Sequence, residues 1–225
     1  MYQIMIAPSI LSADFANFGA ELKEMEKAHA ELLHFDVMDG CFVPEISFGE
    51  VLLRSVKKAT ALETDVHLMI TEPEKHIPSF LSSGADRITF HLEAAEDPLP
   101  GLRMIHEAGK KAALSIRPDT PVEALYPYLS ECDMVLLMTV QPGFGGQPFL
   151  PGSVERIQAV RREIERQGLR TDLEVDGGIN FNTVKMARDA GANVFVSGSA
   201  LFKGQLSENI ERMRALLLEN EEEHA

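Results

Sequence analysis

Leu32-Leu33-His34-Phe35-Asp36-Val37 is a short apolar run interrupted by a histidine and an aspartate two positions apart. Side chains at i and i+2 of a strand point to the same side of a sheet, so His34 and Asp36 face one place. Asp65-Val66-His67, within Thr64 to Met69, repeats the pair in reverse order. Working outward, the same kind of short run recurs at Ile4 to Ser9, Asp86 to His91, Lys111 to Ile116, Asp133 to Thr139, Asp172 to Asp176 and Asn193 to Val196. Longer amphipathic stretches lie between, such as Phe18 to Ala28, Val51 to Lys58, Ser153 to Gln167 and Thr183 to Ala190. Repeated βα units imply a parallel sheet. An open, doubly wound sheet is the competing arrangement. Eight evenly spaced units without an interrupting domain favour closure into a single α/β domain, a (βα)8 TIM barrel over residues 1–225.

Punctuation agrees with this period. Gly84-Ala85-Asp86 and Gly191-Ala192-Asn193 repeat one helix-to-strand turn, with glycine where a helix ends in a left-handed residue. No linker or low-complexity segment is visible, apart from a short acidic tail at about 219–225 that reads as a solvated helix end.

Composition narrows the function. Of 225 residues, 45% are hydrophobic and 25% charged, as in a globular protein with a sizeable core. Twenty-one Lys and Arg against 35 Asp and Glu leave a net charge of -14, which repels polyanions and argues against nucleic acid or an anionic membrane as partner. A small phosphate needs no basic patch, because backbone N–H groups and a helix N-terminus can hold it. No basic region followed by an apolar stretch opens the chain, and Met134 to Val140 is too short to span a bilayer. Cys41 and Cys132 are too few for a disulfide framework. The expected location is the cytoplasm.

In a barrel, the C-terminal ends of the strands form the site. His34, Asp36, His67 and Asp176 all fall there. Singly, each suits a hydrogen-bonded core role, but four of matching parity and depth make a ligand shell for one divalent ion: zinc, iron(II), manganese or cobalt. Without a cation, Asp36 and Asp176 would repel and one would take up a proton. Asp65 and Glu174 share the inward parity one layer deeper and read as groups orienting His34 or His67, or else as a buried ion pair with Lys or Arg.

Glycines follow the last three strands. They lie in Gln141-Pro-Gly-Phe-Gly-Gly-Gln147, in Gly177-Gly178 and in Ser197-Gly198-Ser199, and the loops after the last two strands are where this fold commonly seats a phosphate. Met38 and Met69 stand two residues beyond Asp36 and His67 on the same parity, and Met138 ends the sixth strand. As single residues they read as packing, but above a metal they would exclude water while tolerating both epimers of a polar intermediate.

Ala7-Pro-Ser-Ile-Leu-Ser-Ala-Asp-Phe15, His34-Phe-Asp-Val-Met-Asp-Gly40, Asp65-Val-His-Leu-Met69, Pro142-Gly-Phe-Gly-Gly-Gln147 and Glu174-Val-Asp-Gly-Gly178 together resemble the ribulose-phosphate 3-epimerase family. The resemblance covers nearly the whole chain. It implies a metal-dependent barrel that interconverts D-ribulose 5-phosphate and D-xylulose 5-phosphate, an isomerase of pentose phosphate metabolism. By position it assigns metal ligation to His34, Asp36, His67 and Asp176, and proton transfer to Asp36 and Asp176. Substrate contacts would come from Ser9, His67, Gly143, Phe144, Gly145, Gly146, Gly177, Gly178, Gly198 and Ser199, under a lid of Met38, Met69 and Met138. Barrels of this size often self-associate, so a homo-oligomer is an expectation.

Three places depart from the family pattern. Arg117-Pro118 and Gln141-Pro142-Gly143 carry Arg and Gln where Asn is usual, and Pro44-Glu45 carries Glu for Asn. Arg117 is expected either to reach the site and bias the choice of phosphosugar, or to pair with a carboxylate such as Asp119. Cys41 reads as an apolar filler or an oxidation-sensitive thiol beside the site. A hexulose-phosphate 3-epimerase, acting for example on D-allulose 6-phosphate, is the nearest rival, and a non-catalytic phosphosugar-binding barrel a more distant one. Decarboxylation or isomerisation through a lysine in Asp-x-Lys-x-x-Asp finds no support, because the second strand reads Asp36-Val-Met-Asp39.

Overall fold

The computed structural model describes residues 2–219. Eight parallel strands form one sheet: β1 Met5–Pro8, β2 Leu32–Met38, β3 Glu63–Met69, β4 Arg87–His91, β5 Lys111–Ile116, β6 Met134–Met138, β7 Asp172–Asp176 and β8 Val194–Ser197. Neighbours run in the order β1-β8-β7-β6-β5-β4-β3-β2. The seam between β1 and β2 is closed by one parallel bridge, Ser9 to His34. The result is the (βα)8 barrel. The acidic tail, beyond Glu219, lies outside the described residues.

Alternation along each strand sorts the two sides of the sheet. On β2, Leu33, Phe35 and Val37 join the large apolar layer beneath the helices, while Leu32 lies in the barrel interior with Met5, Ala7, Met134 and Val194. Both faces of β2 are thus buried, as expected of a parallel strand. Burying a side chain such as Phe35 contributes about 1.5–3 kcal/mol. The helix α5, Ser153–Arg166 among α1 Phe18–Lys27, α2 Glu50–Ala59, α3 Ile77–Ser82, α4 Leu99–Glu107, α6 Val184–Asp189, α7 Ser199–Phe202 and α8 Leu206–Leu218, shows the matching pattern. Its Ile157, Val160 and Ile164 fall on one helical stripe and are buried.

One connection departs from the alternation. Between β5 and β6 the chain winds as a 3-10 helix, Val122–Glu131, with Pro127 inside it. Proline lacks the N–H that an α-helix needs and clashes with the preceding turn.

The floor of the barrel is braced at every second strand. The residue just before each even strand accepts from the second N–H of the odd strand beside it: Glu31 from Ile6, Asp86 from Thr64, Asp133 from Ala112 and Asn193 from Leu173. Asp86 also binds Lys57 and Lys110. These contacts, together with burial that opposes them, leave its carboxyl at about 2. Gly84 and Gly191, in the turns leading into β4 and β8, adopt φ of 99° and 113°.

Candidate active site

The upper ends of β2, β3 and β7 bring His34, Asp36, His67 and Asp176 together, with one ligand atom from each lying within 4.8 Å of all the others. His34 Nε2 stands 3.2 Å from Asp36 Oδ1 and 3.9 Å from Asp176 Oδ2, and His67 Nδ1 stands 3.2 and 3.8 Å from the same two oxygens. Chemistry and geometry both suit a divalent cation. His34 Nδ1 is engaged with Asp65 Oδ2 at 2.7 Å, while its Nε2, fully buried, makes no hydrogen bond. A nitrogen so placed, facing two carboxylates, is a ready ligand.

Electrostatics point the same way. Burial opposes a charge on His34, but Asp36 and Asp65 outweigh it and raise its pKa well above the ordinary value. Burial likewise opposes charge on Asp36, yet His34 and His67 hold its carboxyl far below the usual range. Asp176 goes the other way: burial, reinforced by the Asp36 charge, pushes it up to about 6. The cluster draws positive charge to one point, and one of its two aspartyl groups takes up a proton far more readily than the other.

One layer down, Asp65 orients His34. Glu174 Oε1 lies 3.7 Å from His34 Nδ1, and burial followed by the Asp65 charge raises the Glu174 carboxyl well above normal. The ion-pair alternative has a share as well. Buried Arg87 sits between Glu63 at 3.2 Å and Asp172 at 3.7 Å, and its charge acts on Asp65 and Glu174.

Sequence reasoning missed the group behind His67. His67 Nε2 meets His91 Nε2 at 3.0 Å, and His91 Nδ1 meets Glu93 Oε2 at 3.3 Å. The signal existed, since His91 ends β4 on the same parity as Arg87 and Thr89. Burial is the main cause that lowers His91 to about 4.

Above the cluster opens a cavity of about 330 Å³. Asp36 and Asp176 form its floor, and Ser9 Oγ donates to Asp36 Oδ2 at 2.5 Å. Met38, Met69 and Met138 are buried in its wall. Gly143, Phe144, Gly145 and Gly146 line one side, and Gly177, Gly178, Gly198 and Ser199 the other. Glycine is required at two of these positions. A Cβ on Gly177 would meet Val140 Cγ2 at 2.2 Å, and one on Gly178 would meet the Phe149 backbone nitrogen at 2.3 Å, both at positive φ. Leu11, Ser12, Gln147 and Asn180 also line the cavity and were not anticipated. Leu11 and Ser12 belong to a short 3-10 turn after β1, and Gln147 and Asn180 to loops, none of which a strand or helix period describes.

Three expectations at the mouth need revision. Arg117 is absent from the cavity wall. Its guanidinium lies 4.0 Å over the Phe42 ring and donates to the Phe42 carbonyl at 2.8 Å. Asp119 is engaged instead by Gln141, whose Nε2 donates to it at 2.8 Å while the residue borders the cavity. Glu45 is exposed, its carbonyl accepting from the Gly40 N–H. Cys41 is exposed rather than a core filler, because Asp39 turns the loop outward by accepting from the N–H groups of Cys41 and Phe42.

A closed barrel with a two-histidine, two-carboxylate cluster beneath a glycine-bordered cavity defines a class of protein: a (βα)8 barrel whose mouth could hold a divalent cation. Comparison with known proteins supplies the family. The family model described as "Ribulose-phosphate 3 epimerase family" matches residues 5–202. A ribulose-phosphate 3-epimerase of Bacillus subtilis (strain 168) is 46% identical over 200 residues, covering 88% of this chain and 92% of that protein. One from Escherichia coli (strain K12) is 42% identical over 219 residues, covering 96% and 97%. The chain belongs to the ribulose-phosphate 3-epimerase family and is an isomerase.

Solved structures of lower identity share the fold. A 3-hexulose-6-phosphate synthase from Salmonella typhimurium superposes with a TM-score of 0.67 at 17% identity, over 96% of this chain and 99% of that one. N-(5'-phosphoribosyl)anthranilate isomerase from Pyrococcus furiosus gives 0.65 at 18%, over 96% and 98%. Among the described residues no helix is long and apolar enough to cross a membrane.

Proposed function

We propose that this enzyme interconverts D-ribulose 5-phosphate and D-xylulose 5-phosphate by moving the C3 proton between Asp36 and Asp176, through an ene-diolate of the substrate. The observation that carries the reading is the pairing of these carboxylates, from β2 and β7, on the floor of one small cavity. Epimerisation removes a proton from one face of C3 and returns one to the other, so a single base would only regenerate the starting sugar. Two groups on opposite sides of a planar intermediate solve this, and each contributes about 10²- to 10⁴-fold.

Ser9 supports the same roles. Its hydroxyl donates to Asp36 Oδ2 and leaves Oδ1 toward the histidines. Zinc, iron(II), manganese or cobalt, held by His34, Asp36, His67 and Asp176, would act as a Lewis acid that acidifies the C3 proton. Met38, Met69 and Met138 exclude water and offer soft, non-directional contact to either epimer. The glycines at 177, 178 and 198 let backbone N–H groups approach a phosphate. Two free thiols, Cys41 and Cys132, suit the reducing cytoplasm.

The test is deuterium incorporation at C3 of ribulose 5-phosphate in D2O, with and without chelator, alongside D-allulose 6-phosphate. Exchange that needs the metal and favours the pentulose is the expected result. No exchange in metal-loaded protein would refute the proposal, and faster exchange with the hexulose would move the substrate assignment.

A further inference from the structure

A line of side chains leads outward from the four-ligand cluster: buried His67, a member of it, then buried His91, then Glu93 at the outer end. Proton accounting along this line fixes which ring donates across the His67–His91 contact, and with a cation between His67 Nδ1 and the two carboxylates every group is satisfied. Glu93 Oε1 accepts from the Arg117 N–H at 2.8 Å and from the Thr120 hydroxyl, which leaves Oε2 for His91 Nδ1 at 3.3 Å. A carboxylate only accepts, so His91 Nδ1 carries the hydrogen and its Nε2 is bare. The contact between the two Nε2 atoms at 3.0 Å then requires His67 to donate. A neutral His67 that donates from Nε2 has a bare Nδ1, the atom that stands 3.2 Å from Asp36 Oδ1 and 3.8 Å from Asp176 Oδ2.

The opposite tautomer would be tempting in the absence of this line. His67 Nδ1–H would donate to Asp36, and the nitrogen would be lost as a ligand. His91 Nε2 would then have to donate, and its bare Nδ1 would face the Glu93 carboxylate, acceptor against acceptor. We propose that Glu93 and His91 are positioning residues that hold His67 in the tautomer with its Nδ1 lone pair toward Asp36 and Asp176, and so set how tightly the barrel holds a divalent cation. This rests on the reading of the four-residue cluster as a cation site.

Two variants and one control separate the possibilities. His91→Phe removes the acceptor for His67 and keeps a ring in place. Glu93→Gln offers His91 a donor as well as an acceptor, and His91→Gln keeps an acceptor oxygen as the conservative control. Chelator-treated parent and variants are titrated with Co(II) and followed by its visible absorption. The His67 tautomer is read from long-range proton–nitrogen NMR of the metal-free protein. In the parent, His67 is expected to carry a proton on Nε2, donated to His91. In His91→Phe and Glu93→Gln, Co(II) affinity should fall by about 10- to 100-fold, the usual cost of losing a partner behind a ligating histidine. His91→Gln should recover part of the loss. A His67 whose Nε2 carries no proton in the parent, or Co(II) affinity unchanged in both His91→Phe and Glu93→Gln, overturns the proposal. A parent that takes up no Co(II) overturns instead the cation reading beneath it. If His91→Phe fails to fold by circular dichroism, Glu93→Gln decides, because Glu93 lies at the half-exposed end of the line.

Discussion

Replacing Asp176 by asparagine removes a charge from the most crowded anionic point of the barrel and keeps nearly the same shape. In the metal-free protein the Asp176 carboxyl sits at about 6 against an ordinary 3.8, because burial and the Asp36 charge both penalise its ionised form. With the folded value above the unfolded one, the folded chain binds the extra proton between about pH 4 and about pH 6, and stability falls across that window. The penalty then persists at higher pH, and a shift of this size corresponds to about 3 kcal/mol. Asparagine carries no such penalty. In chelator-treated protein at pH 8, Asp176→Asn is expected to be more stable than the parent by up to about 3 kcal/mol, or about 6–12 °C in melting temperature for a chain of this size.

At pH 4 that advantage should largely vanish, since both proteins are then neutral at position 176. Saturating Co(II) should reverse the order at pH 8, because binding to the folded state stabilises it and the parent offers the better ligand set. Epimerase turnover of the variant should drop by about 10²- to 10⁴-fold. Thermal melts by circular dichroism at the two pH values, with chelator or Co(II), provide the assay. A metal-free variant no more stable than the parent at pH 8, or stabilised equally at both pH values, refutes the electrostatic reasoning.

Other expectations follow from the floor, the glycine pair and the contact of Arg117 with Phe42. The Asp86 carboxyl, depressed to about 2, lends the fold about 2 kcal/mol that is present above about pH 4 and lost as pH falls toward 2. Asp86→Asn should therefore lower the urea midpoint at pH 7 and have little effect near pH 2, and equal effects at both would rule this out. Gly178→Ala forces a left-handed alanine against the Phe149 backbone, at a cost of about 2–4 kcal/mol in strain and overpacking. A melting temperature within error of the parent would contradict the crowding at that turn. Arg117→Asn frees the Phe42 carbonyl and ring, so kcat/KM should fall by a similar factor for ribulose 5-phosphate and D-allulose 6-phosphate. A tenfold change in their ratio would restore a substrate-selecting role for Arg117.

The parts of the molecule legible in the sequence are those governed by a period. Alternation alone places His34 with Asp36 and Asp65 with His67, and barrel closure converts three such faces into one cluster. The Gly84 and Gly191 turns were equally open to reading, because only a left-handed residue ends a helix that way. Contacts that depend on the slant between strands were not. Register pairs His67 with Thr89, yet its ring meets His91, two residues further along β4. Nor does any local rule show that Arg117 would reach across to Phe42 in the loop after β2, or that Asp39 would turn Cys41 outward. The helical spacing of Val122, Leu125 and Leu129 is real and these residues are buried, but Pro127 tightens the winding there.

The pairing of Met5 with Val194 has a consequence for how activity is born. During synthesis the first strand emerges with a vacant flank, and its neighbour on that side is the last strand of the sheet to be made. Until it arrives the hoop stays open, and the segment bearing Ser9, which steadies the Asp36 carboxylate, lacks its outer support. Competence for chemistry is therefore expected to appear late and abruptly, with the meeting of the two ends, rather than to grow as each unit is added.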